Sequence, residues 1–276
     1  MPEPGLNIVA IDDPEDPRVA AYRNLPDPDL RRHREHAARG LFMAEGELVV
    51  RTLIRSGYGV VSVLLTQGRL ESIGRDLALL PIGTPIYLAG QGVMDAVAGF
   101  HIHRGILACG VRPEPVDVSE LLGGARRLVV MEAIANHDNM GGIFRNIAAL
   151  GGAGAAGVLC PRCCDPLYRK AIRVSIGHVL SVPFARARDW PGALDQIRGA
   201  GFTLIGLSPG SQAEPIGALE PVERPALVLG SEGAGLSEQT RSMCDCLVRI
   251  PMAPGVDSLN VVVAAGIALH RLVGPP

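Results

Sequence analysis

Three short segments in the second half of the chain carry polar residues and glycines of the kinds that bind and transfer groups. The first, NHDNMGGIFRN (Asn136 to Asn146), follows the apolar run VVMEAIA and enters a helical pattern. Asn139 is a candidate helix cap, and Gly141 and Gly142 permit close backbone approach. Arg145, six residues after Asn139, has the charge and fork geometry to pair with a phosphate or a carboxylate. The second, LVLGSEGAGLS (Leu227 to Ser237), ends an apolar run at Gly230 and then places Glu232 ahead of Gly233 and Gly235. Its G-x-x-G-x-G spacing departs from the dinucleotide fingerprint G-x-G-x-x-G, which counts against a nicotinamide-dependent oxidoreductase. The third, RIPMAPGVDSLNVVVAAGIALH (Arg249 to His270), runs from a strand end through a Pro- and Gly-rich loop into a helix of small residues, with Ser258 as its candidate cap. Each segment alone is compatible with an ordinary turn or capped helix.

The elements that must position them follow from hydrophobic periodicity. Strands are expected at Arg127–Ile134, Ala155–Cys160, Phe202–Leu207, Ala226–Gly230 and Leu247–Ile250. Helices are expected at Met140–Leu150, Leu167–Ile176, Ala193–Ala200, Ser237–Cys244 and Leu259–Leu272. The strands are continuous apolar runs, as in a parallel sheet with both faces covered by helices. The three polar segments fall at the C-terminal ends of such strands, the edge where open α/β sheets bind ligands. The first half alternates on a smaller scale: a helix at Glu47–Ser56, strands at Val60–Leu65, Pro85–Leu88 and Gly105–Val111, and a helix at Gly92–Val97. Pro- and Gly-rich VRPEPVDVSELLGG (Val111 to Gly124) reads as a linker. The expected organisation is therefore a domain over 1–112, a linker over 113–124 and a catalytic domain over 125–276.

With 47% apolar and 20% charged residues, the composition is that of a folded globular protein. No apolar run reaches the roughly 18 to 20 residues of a membrane span. The acidic, Pro-rich start MPEPGLNIVAIDDPEDPR lacks the basic-then-apolar pattern of a signal peptide, so a cytoplasmic protein is expected. A net charge of −2 does not advertise a nucleic-acid partner. Arginines nevertheless cluster at Arg31, Arg32, Arg34 and Arg39, and basic residues again at Arg162, Arg169, Lys170, Arg173, Arg186 and Arg188. Local patches of this kind can track phosphates or form a solvated face. Of the six cysteines, Cys160, Cys163 and Cys164 form CPRCC, and Cys244 and Cys246 are spaced C-x-C, a poor second knuckle for zinc. No metal is expected; buried thiols fit better.

Taken together and in this order, the three segments resemble the SpoU (TrmH-like) family of RNA ribose 2′-O-methyltransferases, from about Arg126 to the C-terminus. The intervening CCDPLYRKAIRVSIGHVLSVPF is similar to the family's sequence between its first two motifs. FMAEGELVVRTLIRSG (Phe42 to Gly57) and GFHIHRGILACG resemble the RNA-binding substrate domain, related to ribosomal proteins, that many members carry. The resemblance implies a parallel-sheet catalytic domain knotted as a trefoil, preceded by a small α/β RNA-binding domain. It implies S-adenosylmethionine bound by Gly230, Ile250 and Leu259, with Leu207 at the margin and Gly233 and Pro251 beside the adenine. It implies a homodimer in which the arginine of one subunit often completes the other's site, and an RNA substrate, ribosomal or transfer, the ribosomal kind favoured.

By the same resemblance Arg145 is the catalytic residue, and Asn139, Glu232, Ser258 and Asn260 shape the site. A ribose 2′-hydroxyl must lose its proton as it attacks the methyl carbon. Free arginine ionises only above about pH 12. Arg145 therefore acts either as a base in a strongly perturbed site or as the stabiliser of the developing alkoxide, and Glu232 is a second candidate base. His137 stands where many relatives have proline in N-P-x-N, and a structural role is expected for it. A non-catalytic RNA-binding or ribosome-assembly factor with the same fold is the competing reading; the intact polar set argues against it.

Overall fold

A computed structural model describes residues 5–23, 40–99, 101–102 and 104–273. The cluster Arg31, Arg32, Arg34 and Arg39 lies outside the described residues. The chain divides into two compact units, Met1–Glu114 with Leu167–Ser181, and Pro115–Pro166 with Val182–Pro276.

The first unit holds strands β1 (Asn7–Ile11), β2 (Leu41–Glu45), β3 (Val60–Leu65), β4 (Pro85–Ala89) and β5 (Ile106–Val111), in the sheet order β1-β4-β3-β5-β2. β4 is parallel to β1 and β3, whereas β5 is antiparallel to β3 and β2. Helices α1 (Glu47–Arg55), α2 (Gln67–Leu77) and α3 (Gln91–Ala98) connect them. α1 buries Val49, Val50 and Leu53 on one face, the i, i+1, i+4 spacing of an amphipathic helix. Gly110 of β5 lies opposite Phe42 of β2, and a Cβ there would stand 2.3 Å from the ring. The glycine thus seats the aromatic across the strand pair. β1, β2 and α2 were not expected from periodicity. β2 (LFMAE) is buried at every position and so shows no alternation, and Gly68 and Gly74 dilute the apolar pattern of α2.

The second unit begins with α4 (Val118–Gly124), which corrects the expected linker over 113–124. Asp117 caps this helix through the Ser119 amide, and Val118, Leu121 and Leu122 are buried in the core. The closing Gly123-Gly124 pair hides the helix in the sequence. There follow β6 (Arg127–Met131), α5 (His137–Leu150), β7 (Ala155–Leu159), α6 (Arg169–Val174), β8 (Phe184–Arg186), α7 (Gly192–Gly199), β9 (Thr203–Leu207), β10 (Glu214–Pro215), β11 (Pro225–Leu229), α8 (Glu238–Met243), β12 (Cys246–Arg249) and α9 (Val261–Val273). The seven strands pair in parallel in the order β10-β12-β9-β11-β6-β7-β8.

Alternation within these strands builds two apolar layers. Leu128, Val130, Ala156, Val158, Ala226 and Val228 join one buried cluster with α4 and α7 residues. On the other face Gly157 makes room for the Met131 side chain and for Phe144 of α5, which meets Phe184 edge-on at 5.4 Å. α9 returns from beyond β12, near one sheet flank, to pack on α5 close to the centre. A Cβ on Gly142 would lie 2.7 Å from Val262, and Asn146 Nδ2 donates to the Val262 carbonyl at 2.7 Å.

α6 belongs to the first unit, and it ends two residues before the expected Ile176. Its Arg173 stands 3.8 Å from the buried Glu45 at the end of β2, and Gly177 (φ 81°) packs on Thr52 of α1. No helix among the described residues is long and apolar enough to cross a membrane.

Candidate active site

In the sheet order, β7 and β8 extend to one side of β6 and β11 lies on the other, so connections diverge between β6 and β11. Such a switch point opens a crevice at the C-terminal strand ends. The loop leaving β6 runs through Ala133, whose φ of 54° is unusual for a residue with a side chain. Its amide donates to Cys160 Sγ at 3.1 Å, which helps hold the strained turn. Asn136, not Asn139, caps α5: its Oδ1 accepts the amides of Asp138 and Asn139 at 2.7 and 3.3 Å. Asn136 is the site residue the sequence reading passed over, although an asparagine immediately ahead of a helical pattern is the usual cap signal. His137 is the first residue of α5.

Relieved of capping, the Asn139 side chain joins two other motifs. Its Nδ2 donates to Glu232 Oε1 at 2.8 Å, and its Oδ1 accepts Asn260 Nδ2 at 3.1 Å. Glu232 Oε2 takes the Ala135 amide at 3.5 Å. Asn260 in turn accepts the Val262 amide at 2.8 Å, so it caps α9 in place of the expected Ser258, and α9 begins at Val261 rather than Leu259. Three residues distant in sequence thus form one hydrogen-bonded file, Glu232–Asn139–Asn260. Each amide uses its oxygen and nitrogen on different neighbours, which fixes its orientation.

The glycine loop is shaped by contact rather than by freedom alone. Ser231 and Gly235 exchange backbone hydrogen bonds at 3.1 and 3.0 Å, folding the loop back on itself. A Cβ on Gly230 would lie 2.1 Å from the Gly235 carbonyl carbon and 2.2 Å from the Leu236 nitrogen. No side chain fits there. Gly233 and Gly235 take φ of 92° and 71°, which suits glycine.

Leu207 ends β9, Gly230 follows β11 and Ile250 follows β12, and these strands are neighbours in the order β12-β9-β11. Three of the four expected donor-binding residues therefore lie along one strand-end edge. Leu259 and Val256, in the segment that leads into α9, are 38% and 48% exposed. Strand-end main chain beside open apolar surface, with no lysine or arginine among these residues, fits a nucleoside carrying a sulfonium cation better than a polyphosphate.

Arg145 and Ser258 are not brought into the file. Arg145 is exposed on α5 and, among the described residues, has no hydrogen-bond or ion-pair partner. Six residues along a helix correspond to about 9 Å of rise and about 120° of rotation away from Asn139. Ser258 is likewise exposed. Of the basic residues expected to face phosphate, Arg186 is otherwise engaged. Its guanidinium donates to the carbonyls of Cys160, Pro161, Cys163 and Cys164 at 2.9 to 3.2 Å and so shapes the cysteine loop. Cys160 and Cys163 are buried with sulfurs 3.9 Å apart. The Cys163 hydrogen bond draws the Cys160 thiol down to about 6, while the same bond and burial push Cys163 up. Among the described residues no group of three or more His, Cys, Asp or Glu is placed to hold a metal ion.

The sequence model of the SpoU rRNA Methylase family matches residues 126–270. An uncharacterized tRNA/rRNA methyltransferase of Mycobacterium bovis is 42% identical over 272 residues, 97% of this chain and 92% of its own. Among solved structures, the AdoMet-bound rRNA methyltransferase from Sinorhizobium meliloti has a TM-score of 0.77 at 21% identity, over 96% of this chain and 97% of the other. The SpoU methyltransferase AviRb from Streptomyces viridochromogenes, in complex with AdoMet, has a TM-score of 0.75 at 22% identity, over 94% and 98%. At these identities the two structures establish the shared α/β parallel-sheet fold. With the family's sequence model spanning more than half of the chain and a relative 42% identical along nearly all of it, the chain belongs to the SpoU rRNA Methylase family and is an RNA methyltransferase, of a family whose methyl donor is S-adenosylmethionine.

Proposed function

We propose that this protein transfers a methyl group from S-adenosylmethionine to a ribose 2′-hydroxyl of RNA, ribosomal RNA in particular. The observation that carries the reading is the file Glu232–Asn139–Asn260, which joins the three motif segments at the crevice between β6 and β11. A solved structure of an RNA 2′-O ribose methyltransferase shares the fold, with a TM-score of 0.74, which is in keeping with this reading.

Bound S-adenosylmethionine supplies an activated methyl on its sulfonium. Leu207, Gly230, Ile250 and Leu259 hold the nucleoside by main chain and apolar surface, with Gly233 and Pro251 beside the adenine. The return of α9 from beyond β12 onto α5 is read as the family's trefoil knot. Asn139, Glu232 and Asn260 fix the crevice wall against which the ribose is aligned, and Ser258, exposed at its rim, reaches the substrate. Arg145 stabilises the developing 2′-alkoxide, since donors already in place need no reorganisation as charge appears. In-line alignment accounts for much of the remaining acceleration.

Arg145 is not joined to the file within one chain, and Val263 and Ile267, four residues apart on α9, leave apolar surface exposed, as does Leu259 just ahead of the helix. Both features support a homodimer in which Arg145 of one subunit completes the site of the other. Residues 1–112, the larger part of the first unit, form the RNA-binding domain, and the protein works in the cytoplasm.

The test is transfer of tritiated methyl from S-adenosylmethionine to total RNA of a strain lacking the gene, followed by mapping of alkali-resistant dinucleotides. Ribose label with wild type and a loss of about 100-fold or more with Arg145→Ala is expected. Mixing Arg145→Ala with Asn139→Ala should give more activity than the two separate variants sum to, through mixed dimers that hold one intact site. If wild type binds the cofactor but methylates no RNA, the enzyme reading gives way to an assembly factor.

A further inference from the structure

Glu132 directly follows β6, and it is only 2% exposed. A buried carboxylate is strongly unfavourable unless donors surround it, and here they come from three separate segments. Ser237 donates its amide to Oε2 at 3.0 Å and its hydroxyl to Oε1 at 2.8 Å. Trp190 donates Nε1–H to Oε1 at 3.3 Å. The Arg162 guanidinium stands 3.8 Å from Oε1.

These donors matter through where they sit. Ser237 is the N-cap of α8, its Oγ accepting the Thr240 amide at 3.2 Å, and it ends the loop that carries Glu232. The other end of that loop is tied to the same residue, because the Glu132 amide donates to the Leu229 carbonyl at 2.8 Å, one residue before Gly230. On its C-terminal side Glu132 leads through strained Ala133 to the Asn136 cap and Asn139. One buried residue therefore spans the base of the glycine loop and the entry to α5. Charge-assisted bonds of this kind are roughly twice as strong as neutral ones.

We propose that Glu132 is a positioning residue for methyl transfer. Its carboxylate clamps the Ser237 end of the Gly230–Ser237 loop to β6 while its main-chain amide holds the Leu229 end, so that Glu232 meets Asn139 and the donor-binding strand ends keep their spacing. Trp190, the single tryptophan of the chain, reports on that clamp through the same carboxylate. The inference rests on the donor site proposed above.

The experiment compares full-length wild type, Glu132→Gln, Glu132→Ala and Ser237→Ala. It reads tryptophan fluorescence during titration with S-adenosylhomocysteine, affinity by calorimetry, thermal melting, RNA affinity by filter binding, and KM for S-adenosylmethionine against kcat. Wild type should bind with a saturable change in Trp190 emission. Glu132→Ala and Ser237→Ala should bind about 10- to 30-fold more weakly, the fold-change expected for about 1.4 to 2 kcal/mol of lost hydrogen bonding. KM for the donor should rise more than kcat falls, and RNA affinity should stay within twofold. Glu132→Gln keeps the shape and one acceptor, so it should recover at least half of the loss on a logarithmic scale. Should Glu132→Ala fail to fold, Glu132→Gln and Ser237→Ala carry the test. Folded Glu132→Ala or Ser237→Ala that binds the analogue within twofold of wild type, or a Trp190 response unaltered in it, would overturn the proposal while leaving the donor site intact. A wild type that binds no analogue overturns the donor site and this role together.

Discussion

The two units use their polar side chains in opposite ways. In the first, charges close on one another: Glu47 pairs with Arg51 at 2.9 Å and Arg69 at 2.8 Å, while buried Asp76 pairs with Arg51 at 2.8 Å and Arg55 at 2.6 Å. This network ties α1 to α2. The hollow at the strand ends of the first unit, about 500 Å³, is lined by Ala10, Asp12, Thr66, Gln67 and Gln91 among others, and the network does not line it. In the second unit the strand-end residues form a file, Glu232–Asn139–Asn260, and Arg145, exposed on α5, has no ion-pair partner among the described residues. Closed networks hold shape. A file fixed in orientation at the strand ends, with an exposed guanidinium further along α5, is suited to chemistry rather than to holding shape.

The sharpest test of this contrast is Gly230→Ala. A Cβ 2.1 Å from loop backbone must force the 230–236 turn open, and overpacking of this kind typically costs about 1 to 3 kcal/mol. Binding of S-adenosylhomocysteine, measured by calorimetry, should fall about 100-fold. Binding within threefold of wild type would show that the loop does not hold the donor. In the file, Asn139→Ala and Glu232→Gln should each lower kcat about 10- to 100-fold, with melting temperatures within about 4 °C of wild type. A larger thermal loss without a kinetic one would place these residues with the structural networks instead.

Asp76→Ala should do the reverse. It leaves Arg51 and Arg55 facing a site whose carboxylate was 5% exposed, and breaking a buried pair costs about 3 kcal/mol or more. Denaturant unfolding should register that loss while donor affinity stays unchanged. The smallest effect expected concerns Asp95 of α3. The Ile102 amide, then His101 and Gln91, hold its carboxyl below the usual carboxylate range. Because the folded value is depressed, the contribution is present above the unfolded value of about 3.9 and is lost as pH falls through the folded one. Acid melts should therefore show wild type losing its advantage over Asp95→Asn below about pH 4. An advantage that persists there would remove Asp95 from the acid response.

Most of the second unit was legible in the sequence because parallel strands buried on both faces read as unbroken apolar runs. β7, β9, β11 and β12 match their expected ranges to within a residue at each end, while β6 stops at Met131, three residues short of the expected Ile134. β8, three residues long, and α4, closed by two glycines, are too short or too diluted to show a period. In the first unit, β1 and β2 went unread because an edge strand of five residues and a fully buried one both lack alternation. At the site, Asn139, Glu232 and Asn260 were recognisable one by one from motif order. Their mutual hydrogen bonds were not, and neither was the transfer of capping to Asn136 and Asn260. Arg186 shows the same limit: an arginine in a basic stretch cannot declare from its neighbours that four carbonyls will receive it.

The sequence by itself determined the alternation of strand and helix, the placing of polar loops at strand ends and the family, because these depend on local periodicity and on residue order. Only the tertiary structure decided which loops meet, that Leu167–Ser181 packs with the first unit, and that Glu132 rather than a motif residue ties the loops together. The physical reason is range. Capping and amphipathicity act over three or four residues, whereas the contacts that assemble the site join positions 93 and 121 apart.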